Sequence, residues 1–248
     1  AALEVTGRLS KTGASMVAVK ATNLQLDGLA ALVPADLAVK PAGGTVADLQ
    51  VVLRRDKDKI VFAGEAKLDG VDVDVAAVPV RGLRGTVSFS DRQIFLFPVT
   101  ASVYGQSVTV RGKIATAAAQ PELGLTVSAA AFDPAALGKD LPVHGLLGFT
   151  VAIGGTPAQP VVSGEVRLAE GDVDGYAVSG ALAKFSLAES VLTVSGLEAG
   201  MFGGRVGGSG TVRLDPKTYN IKYYDLAMNG RNLDFAAFPA FEIGRAHV

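Results

Sequence analysis

Apolar and polar side chains alternate one by one along much of this chain. Residues 60–68 place Ile60, Phe62 and Leu68 on one side and Glu65 and Lys67 on the other. The same alternation recurs in the segments 70–75, 107–114 and 163–169. A period of two is typical of strands with one solvated and one buried face, whereas a helix repeats every 3.6 residues. The pattern therefore predicts antiparallel β-sheet.

Turn sequences rich in Gly, Asp and Pro recur about every ten residues. This spacing is typical of hairpins joined in a meander. The charged run at 54–59 is interpreted as a solvated hairpin tip. Helical patterns are confined to 28–33 and 133–139. The sequence predicts an all-β fold built from one elongated antiparallel sheet.

The chain repeats itself with a unit of about 100 residues. Residues 94–114 align with 192–212 at a constant offset of 98, and 62–68 align with 162–168. We divide the chain into a partial first repeat at 1–60, a second at 61–160 and a third at 161–242. Residues 243–248 are interpreted as an appended tail, and the whole as one continuous β structure. Repeated units that contact only their neighbours favour an array with open ends.

The segment "FGGRVGGSGTV" at 202–212 has glycine at five of its eleven positions. A Walker loop would end in Gly-Lys followed by Ser or Thr, and a dinucleotide loop would enter a helix. Here Val206, Val212 and Leu214 continue a strand alternation, and the aligned segment 104–114 has two glycines. Glycine inside a strand marks a bend, a bulge or a close approach. The segment is therefore predicted to be a strand rather than a phosphate loop.

The composition excludes several classes of function. A net charge of −1 gives no basic face for nucleic acid, and the absence of cysteine removes disulfides and thiolate metal sites. Asp72 and Asp74 share a strand face but lack the six to eight oxygens that calcium needs, so we interpret them as solvated. His144, in the loop sequence LPVHGLL, and His247 lie about 100 residues apart and are interpreted as structural or incidental. We expect no enzyme, no cofactor and no metal site.

The alternation leaves one long apolar face with almost no helix to cover it. Such a sheet closes into a barrel, pairs as a sandwich or curls into a U-shaped trough with a hydrophobic interior. We favour the trough, whose interior would take acyl chains. The residues expected to line its groove are Ile60, Phe62, Leu68, Val71, Val73, Val75, Val87, Phe89, Val108, Val110, Ile114, Val166, Leu168, Val206, Val212 and Leu214. The segment 93–99 differs because it is apolar on both faces, which predicts a covered or contact-making outer side.

Two sequence elements, one across the junction of the second and third repeats and one in the third, carry a family resemblance. Ile153, Gly155 or Thr156, Pro160, Gly164 and Val166 match the pattern I-x-G-T-x-x-x-P-x-x-x-G-x-V. The second element is a Gly pair followed by G-x-V-x-L, and it is matched by Gly203, Gly204, Gly210, Val212 and Leu214. With these elements the chain resembles the TamB and AsmA-like superfamily of Gram-negative envelopes, most clearly over 123–238. Residues 35–61 depart most from the pattern.

The resemblance implies a fragment of a long periplasmic protein that is anchored in the inner membrane by a segment absent here. It implies a trough of the β-taco type, phospholipid transport between the membranes, and an outer-membrane β-barrel partner in the full-length protein. It offers no catalytic residues. Three functions stay open: a groove for phospholipid acyl chains, an assembly factor that templates client strands on its sheet edges, and a structural spacer. Open edges also predict edge-to-edge self-association.

Overall fold

The computed structural model describes residues 2–8, 15–27, 39–56, 59–75, 78–118, 120–138, 141–215 and 220–234. The strands are β1 (Ala2–Arg8), β2 (Met16–Gln25), β3 (Val39–Asp56), β4 (Lys59–Val75), β5 (Val78–Ser90), β6 (Gln93–Val103), β7 (Gln106–Ala115), β8 (Glu122–Phe132), β9 (Val143–His144), β10 (Leu147–Thr156), β11 (Gln159–Val173), β12 (Tyr176–Ala188), β13 (Val191–Met201), β14 (Gly204–Leu214) and β15 (Ile221–Arg231).

These strands form one 15-stranded sheet in the described part of the chain. The order follows the chain from β1 to β15, except that the short β9 pairs with β11 beside this path. The registers determined between neighbouring strands are antiparallel, as in β1–β2, β6–β7 and β13–β14. The all-β prediction and the single antiparallel sheet are confirmed. The strand order is open, with β1 and β15 at its two ends in the described part of the chain.

The chain divides into two compact units. Unit 1 comprises Ala1–Phe132 and Thr150–Val162, and unit 2 comprises Asp133–Phe149 and Ser163–Val248. Unit 1 has a core cluster of Val46, Ala66 and Val71. Unit 2 has a cluster of Leu168, Val178 and Ala199. In both units the core consists of side chains from one face of the sheet, because alternate residues of a strand point to opposite faces.

The strands reproduce the internal repeat residue by residue. β5, β6 and β7 begin at 78, 93 and 106, while β12, β13 and β14 begin at 176, 191 and 204, which keeps the offset of 98. The irregularities coincide as well: the register shift at Arg81/Arg84 recurs at Ser179/Leu182, and the shift at Leu96/Val99 recurs at Val194/Leu197. The two copies therefore share their bulges as well as their strands.

The two candidate helices have different outcomes. Residues 133–139 contain only a single 3-10 turn at Pro134–Ala136, where the Asp133 carboxylate accepts a hydrogen bond from the Ala135 N–H at 2.9 Å. The segment 28–33 lies outside the described residues, as do the tail at 243–248 and His247. No helix in the described part of the chain has the length and apolar character needed to cross a membrane.

The charged run at 54–59 lies where β3 and β4 meet. These strands pair up to Asp56 opposite Lys59, and residues 57 and 58 between them are outside the described part. The run therefore lies at the end of a hairpin ladder, in agreement with its interpretation as a hairpin tip.

Candidate functional site

The apolar face of unit 1 contains all eleven groove residues predicted there. Residues directly opposite each other in an antiparallel ladder share a face. Phe89 lies opposite Gly64, Val87 opposite Ala66, and Val110 opposite Val99. Followed from β4 to β7, these pairs bring together Ile60, Phe62, Leu68, Val71, Val73, Val75, Val87, Phe89, Val108, Val110 and Ile114.

A bulge at Gly70 keeps this face apolar. Leu68 and Val71 are three residues apart, so an unbroken alternation would place them on opposite faces. The ladder between β4 and β5 shifts between Asp69 and Val71, and Gly70 has φ +74°, which favours glycine. As a result Val71 joins the core cluster of unit 1, against which Leu68 packs.

Exposure along this face rises towards the strand ends. Val71 and Val108 are buried, with 4% and 5% of their surface exposed, whereas Phe62 is 40% exposed and Ile60 is 70% exposed. The Phe62 and Phe89 rings pack with centroids 6.4 Å apart. The centre of the face is thus closely packed, and the end near the β3–β4 hairpin offers aromatic and aliphatic surface to a ligand.

The apolar face of unit 2 contains the other five predicted residues. Leu168 is in the core cluster with Ala199, and Ala199 lies directly opposite Val206. Strand alternation adds Val166 to the side of Leu168, and adds Val212 and Leu214 to the side of Val206. All sixteen predicted residues therefore lie on the apolar face of their own unit.

The glycines of 202–212 make room for the neighbouring strand. Gly208 lies opposite Met228 and Gly210 opposite Leu226 on β15. A Cβ built on Gly208 would be 2.5 Å from the Met228 sulfur and 2.9 Å from the Ala227 carbonyl oxygen, which is closer than any side chain tolerates. From Gly204 onwards the segment is strand β14, as predicted, while Phe202 and Gly203 form the preceding turn; Gly208 and Gly210 allow close approach by the large side chains of β15.

The opposite face, which we call the polar face, carries the charged side chains. In unit 1 an Arg81 guanidinium nitrogen lies 2.8 Å from an Asp74 carboxylate oxygen. The Arg84 Nε lies 3.3 Å from an Asp69 carboxylate oxygen. Asp72 accepts a hydrogen bond from the Gly82 N–H at 2.7 Å. The carboxylates weighed for calcium therefore have protein partners, and the described residues contain no group of three or more metal-ligating side chains.

Phe95 and Phe97 are exceptions on the polar face. Phe95 lies opposite Lys113 and is 38% exposed, while Phe97 is 50% exposed at the bulge of β6. The apolar character of both faces of 93–99 agrees with the sequence. The outer side of this segment remains open to contact rather than covered by other described residues.

His144 differs from its sequence-based placement. The sequence puts it in a loop, but it lies in β9 and pairs with Asp172 of β11. Its Nδ1 is 3.4 Å from the Asp172 carboxylate, and two thirds of its side chain is exposed. The difference arises because a two-residue strand has no periodicity that a sequence could display.

Several residues of the apolar face were not predicted. Val99, Ala101 and Val178 are among its most buried members, at 1%, 7% and 4% exposure. The alternation around Val99 is interrupted by the bulge at Phe97 and Pro98, which conceals its face from a period-two pattern. The internal repeat could have identified Val178, because this residue lies two positions after the start of β12, the strand that aligns with β5.

Two depressions lie on the polar face rather than on the apolar one. One of about 990 Å³ in unit 2 and one of about 500 Å³ in unit 1 are lined mainly by polar-face residues. The exposed apolar side chains of unit 1 lie towards the strand ends, so an apolar ligand would contact the sheet there. No family model, no curated protein and no solved structure matches the chain.

Proposed function

We propose that the chain binds phospholipid acyl chains on its apolar face and conducts them between the two membranes of a Gram-negative envelope. The observation that carries this proposal is the gathering of the sixteen groove residues on the apolar face of each unit, with a charged face behind them. Towards the strand ends of unit 1 this face leaves large apolar side chains exposed, as at Ile60 and Phe62. The periplasmic location, the membrane anchor and the β-barrel partner rest on the family resemblance and belong to the same proposal.

The energetics favour an acyl chain as the ligand. Burial of a methylene group contributes about 0.8 kcal/mol, so five methylenes laid on the sheet contribute about 4 kcal/mol. Gly, Ala and Val are frequent on this face, and at Gly64 the absent side chain makes room for the ring of Phe89, which lies opposite it. The charged headgroup would stay at the rim, where the strands end and water is accessible.

A second candidate function is strand templating in the assembly of outer-membrane proteins. The observation that favours it is the exposure of the two strands that end the sheet, since every residue of β1 and β15 is exposed. An unpaired edge presents N–H and C=O groups to which an extended peptide adds as a further strand. A spacer with a filled core, the third candidate, would need a layer over the apolar face.

The first experiment is native mass spectrometry with lipid extraction on protein purified from bacterial membranes. Phe62 and Phe95 form a matched pair, because they are 40% and 38% exposed on the apolar and polar faces respectively. We expect Phe62→Asp to lose most of the co-purifying phospholipid and Phe95→Asp to keep it. Because both side chains are partly exposed, neither substitution buries a charge in the way that Val108→Asp would.

Each outcome separates the candidates. Phospholipid lost from Phe62→Asp alone supports acyl chains on the apolar face. Equal loss from both variants, or a lipid-free wild type, contradicts the proposal. A lipid-free wild type that captures unfolded outer-membrane strands would favour the templating function instead.

A further inference from the structure

The larger depression lies on the polar face of unit 2, between β12 and β15. Its floor is made of small residues, and a Cβ built on Gly180 or Gly196 would meet no atom within 4 Å. Its volume is about 990 Å³. This space is accessible from the polar side of the sheet, so it is separate from the apolar face to which the proposed lipid function belongs.

Comparison of the two repeats shows which residues differ at this depression. Ser195 and Gly196 occupy the bulge of β13, and at the offset of 98 they correspond to Phe97 and Pro98 in the bulge of β6. In the second repeat this position has the large side chain of Phe97, which is 50% exposed, whereas the third repeat has the small residues Ser195 and Gly196. The two copies share the same backbone irregularity, but they differ in the size of the side chains at the bulge.

Two arginines line the depression. Arg205 of β14 and Arg231 of β15 lie directly opposite each other on the polar face. Like charges that face each other across two strands are destabilising. Neither guanidinium is in an ion pair with any described residue. In the second repeat Arg205 corresponds to Ser107, and the β7–β8 register continues to Ala130 opposite it, so the arginine pair is specific to the third repeat.

We propose that this depression is an oxyanion site that binds a phosphate group. Two guanidinium groups from directly paired residues on adjacent strands can both donate charge-assisted hydrogen bonds to one phosphate. The bound anion would relieve the repulsion between Arg205 and Arg231, and the Asn229 amide in the lining supplies a further donor. Glu198 also lines the site and opposes the anion by its charge.

The probe for the test is inorganic phosphate, titrated calorimetrically into the full chain at low ionic strength. We expect Arg205→Gln and Arg231→Gln each to weaken binding at least about tenfold, since each removes a charge-assisted contact. Glu198→Gln should tighten binding, because it removes the opposing charge. Arg213→Gln is the matched control, since Arg213 is on the same face of β14 but outside the depression, and its affinity should be unchanged.

Ser195→Phe tests the shape of the site without altering its charge. It restores the residue of the second repeat, and we expect it to abolish phosphate binding while the far-ultraviolet spectrum stays that of a β-sheet. The proposal is overturned if phosphate binds neither alone nor on a membrane, if Ser195→Phe binds as wild type does, or if Arg213→Gln loses as much affinity as Arg205→Gln.

A second arm separates the two sources of such a phosphate. Vesicles of phosphatidylcholine are compared with vesicles that also contain phosphatidic acid, whose headgroup is a phosphate monoester. Binding of inorganic phosphate supports a site for a free anion. Binding only to phosphatidic acid vesicles, lost in Arg231→Gln, supports a lipid headgroup. Failure of the lipid experiment with Phe62→Asp leaves this result unaffected, because the two sites lie on opposite faces.

Discussion

Glu189 and Ser190 connect β12 to β13 in a left-handed conformation, with φ of +50° and +62°. Two consecutive positive φ angles define the turn type whose twist matches a two-residue hairpin, and Asn-Gly is its preferred sequence. The equivalent connection between β13 and β14 does place Gly203 at its second position, with φ +71°. The β12–β13 turn therefore has a conformation that its residues do not favour.

We expect Ser190→Gly to stabilise the protein by about 0.5–1 kcal/mol, because it removes the cost of a side chain in the left-handed region. The measurement is the urea concentration at the midpoint of unfolding. Ser186→Gly in the same hairpin is the control. It places glycine in extended backbone opposite Thr193 and should destabilise the protein by about 0.5–1 kcal/mol. A Ser190→Gly variant no more stable than wild type would contradict this account of the turn.

Residue alternation predicted most of the apolar face, and its failures have one physical cause. A face is predictable where each residue advances the strand by one step, as from Val108 to Ile114. A bulge adds a residue without changing the composition, so the assignment of faces reverses without a sequence signal, as between Leu96 and Val99. Bulges are determined by pairing with a neighbouring strand, which lies many residues away in the chain.

At the scale of elements, the repeat was more informative than the alternation. The offset of 98 places β5, β6 and β7 on β12, β13 and β14 with the same bounds, to within one residue. β4 has 17 residues and β11 has 15, so the offset is 100 where these strands begin and 98 where they end. The two additional residues of β4 accompany its two register shifts around Val71. Comparing the sequence with itself identified the repeated segments. The reason why the offset changes became clear only from the pairing of β4 with β5.

The phosphate site could not be predicted, although its signal is present in the sequence. Phe97-Pro98 and Ser195-Gly196 are aligned by the repeat, and the substitution of large by small residues is visible there. That these positions lie in a bulge, beside Arg205 and Arg231, depends on three separate hairpins and their registers.

One prediction concerns self-association through the edge strand β15. Tyr224, Leu226 and Met228 lie on its apolar face and are more than half exposed. Because an inward-pointing charge on an edge strand opposes further pairing, we expect Leu226→Lys to reduce concentration-dependent self-association. Sedimentation velocity over a series of concentrations measures the effect.

Ile60→Lys is the control for the edge, since Ile60 is equally an exposed apolar-face residue but lies on an interior strand. This variant should associate as wild type does. A wild type that stays monomeric at high concentration, or an equal effect of both lysines, would exclude pairing through the β15 edge.

For the whole molecule, the decisive property is the number of large apolar side chains that the sheet leaves exposed, among them Ile60, Phe62 and Leu226. Compact monomeric proteins rarely expose contiguous apolar patches larger than a few hundred Å². The native protein should therefore enhance the fluorescence of an anilinonaphthalene dye in the absence of denaturant, and a long-chain fatty acid should displace the dye.

Unfolding in urea supplies the comparison for that measurement. We expect the dye signal to fall as the sheet unfolds, because the aligned apolar side chains disperse. A protein that binds dye only during unfolding would have its apolar face closed in the native state, which would also argue against an acyl ligand. Phe62→Asp should lower the native signal more than Phe95→Asp does.

The order of the strands has a mechanical consequence. Nearly every strand pairs with the strands that precede and follow it in the chain, so each hairpin is held mainly by its own ladder and that of its neighbour. A force applied between β1 and β15 would act on the hydrogen bonds of the outermost hairpin first, because successive antiparallel strands peel apart one bond at a time. Stretching should then release the sheet hairpin by hairpin at low force, and the extended chain should refold from any hairpin that remains.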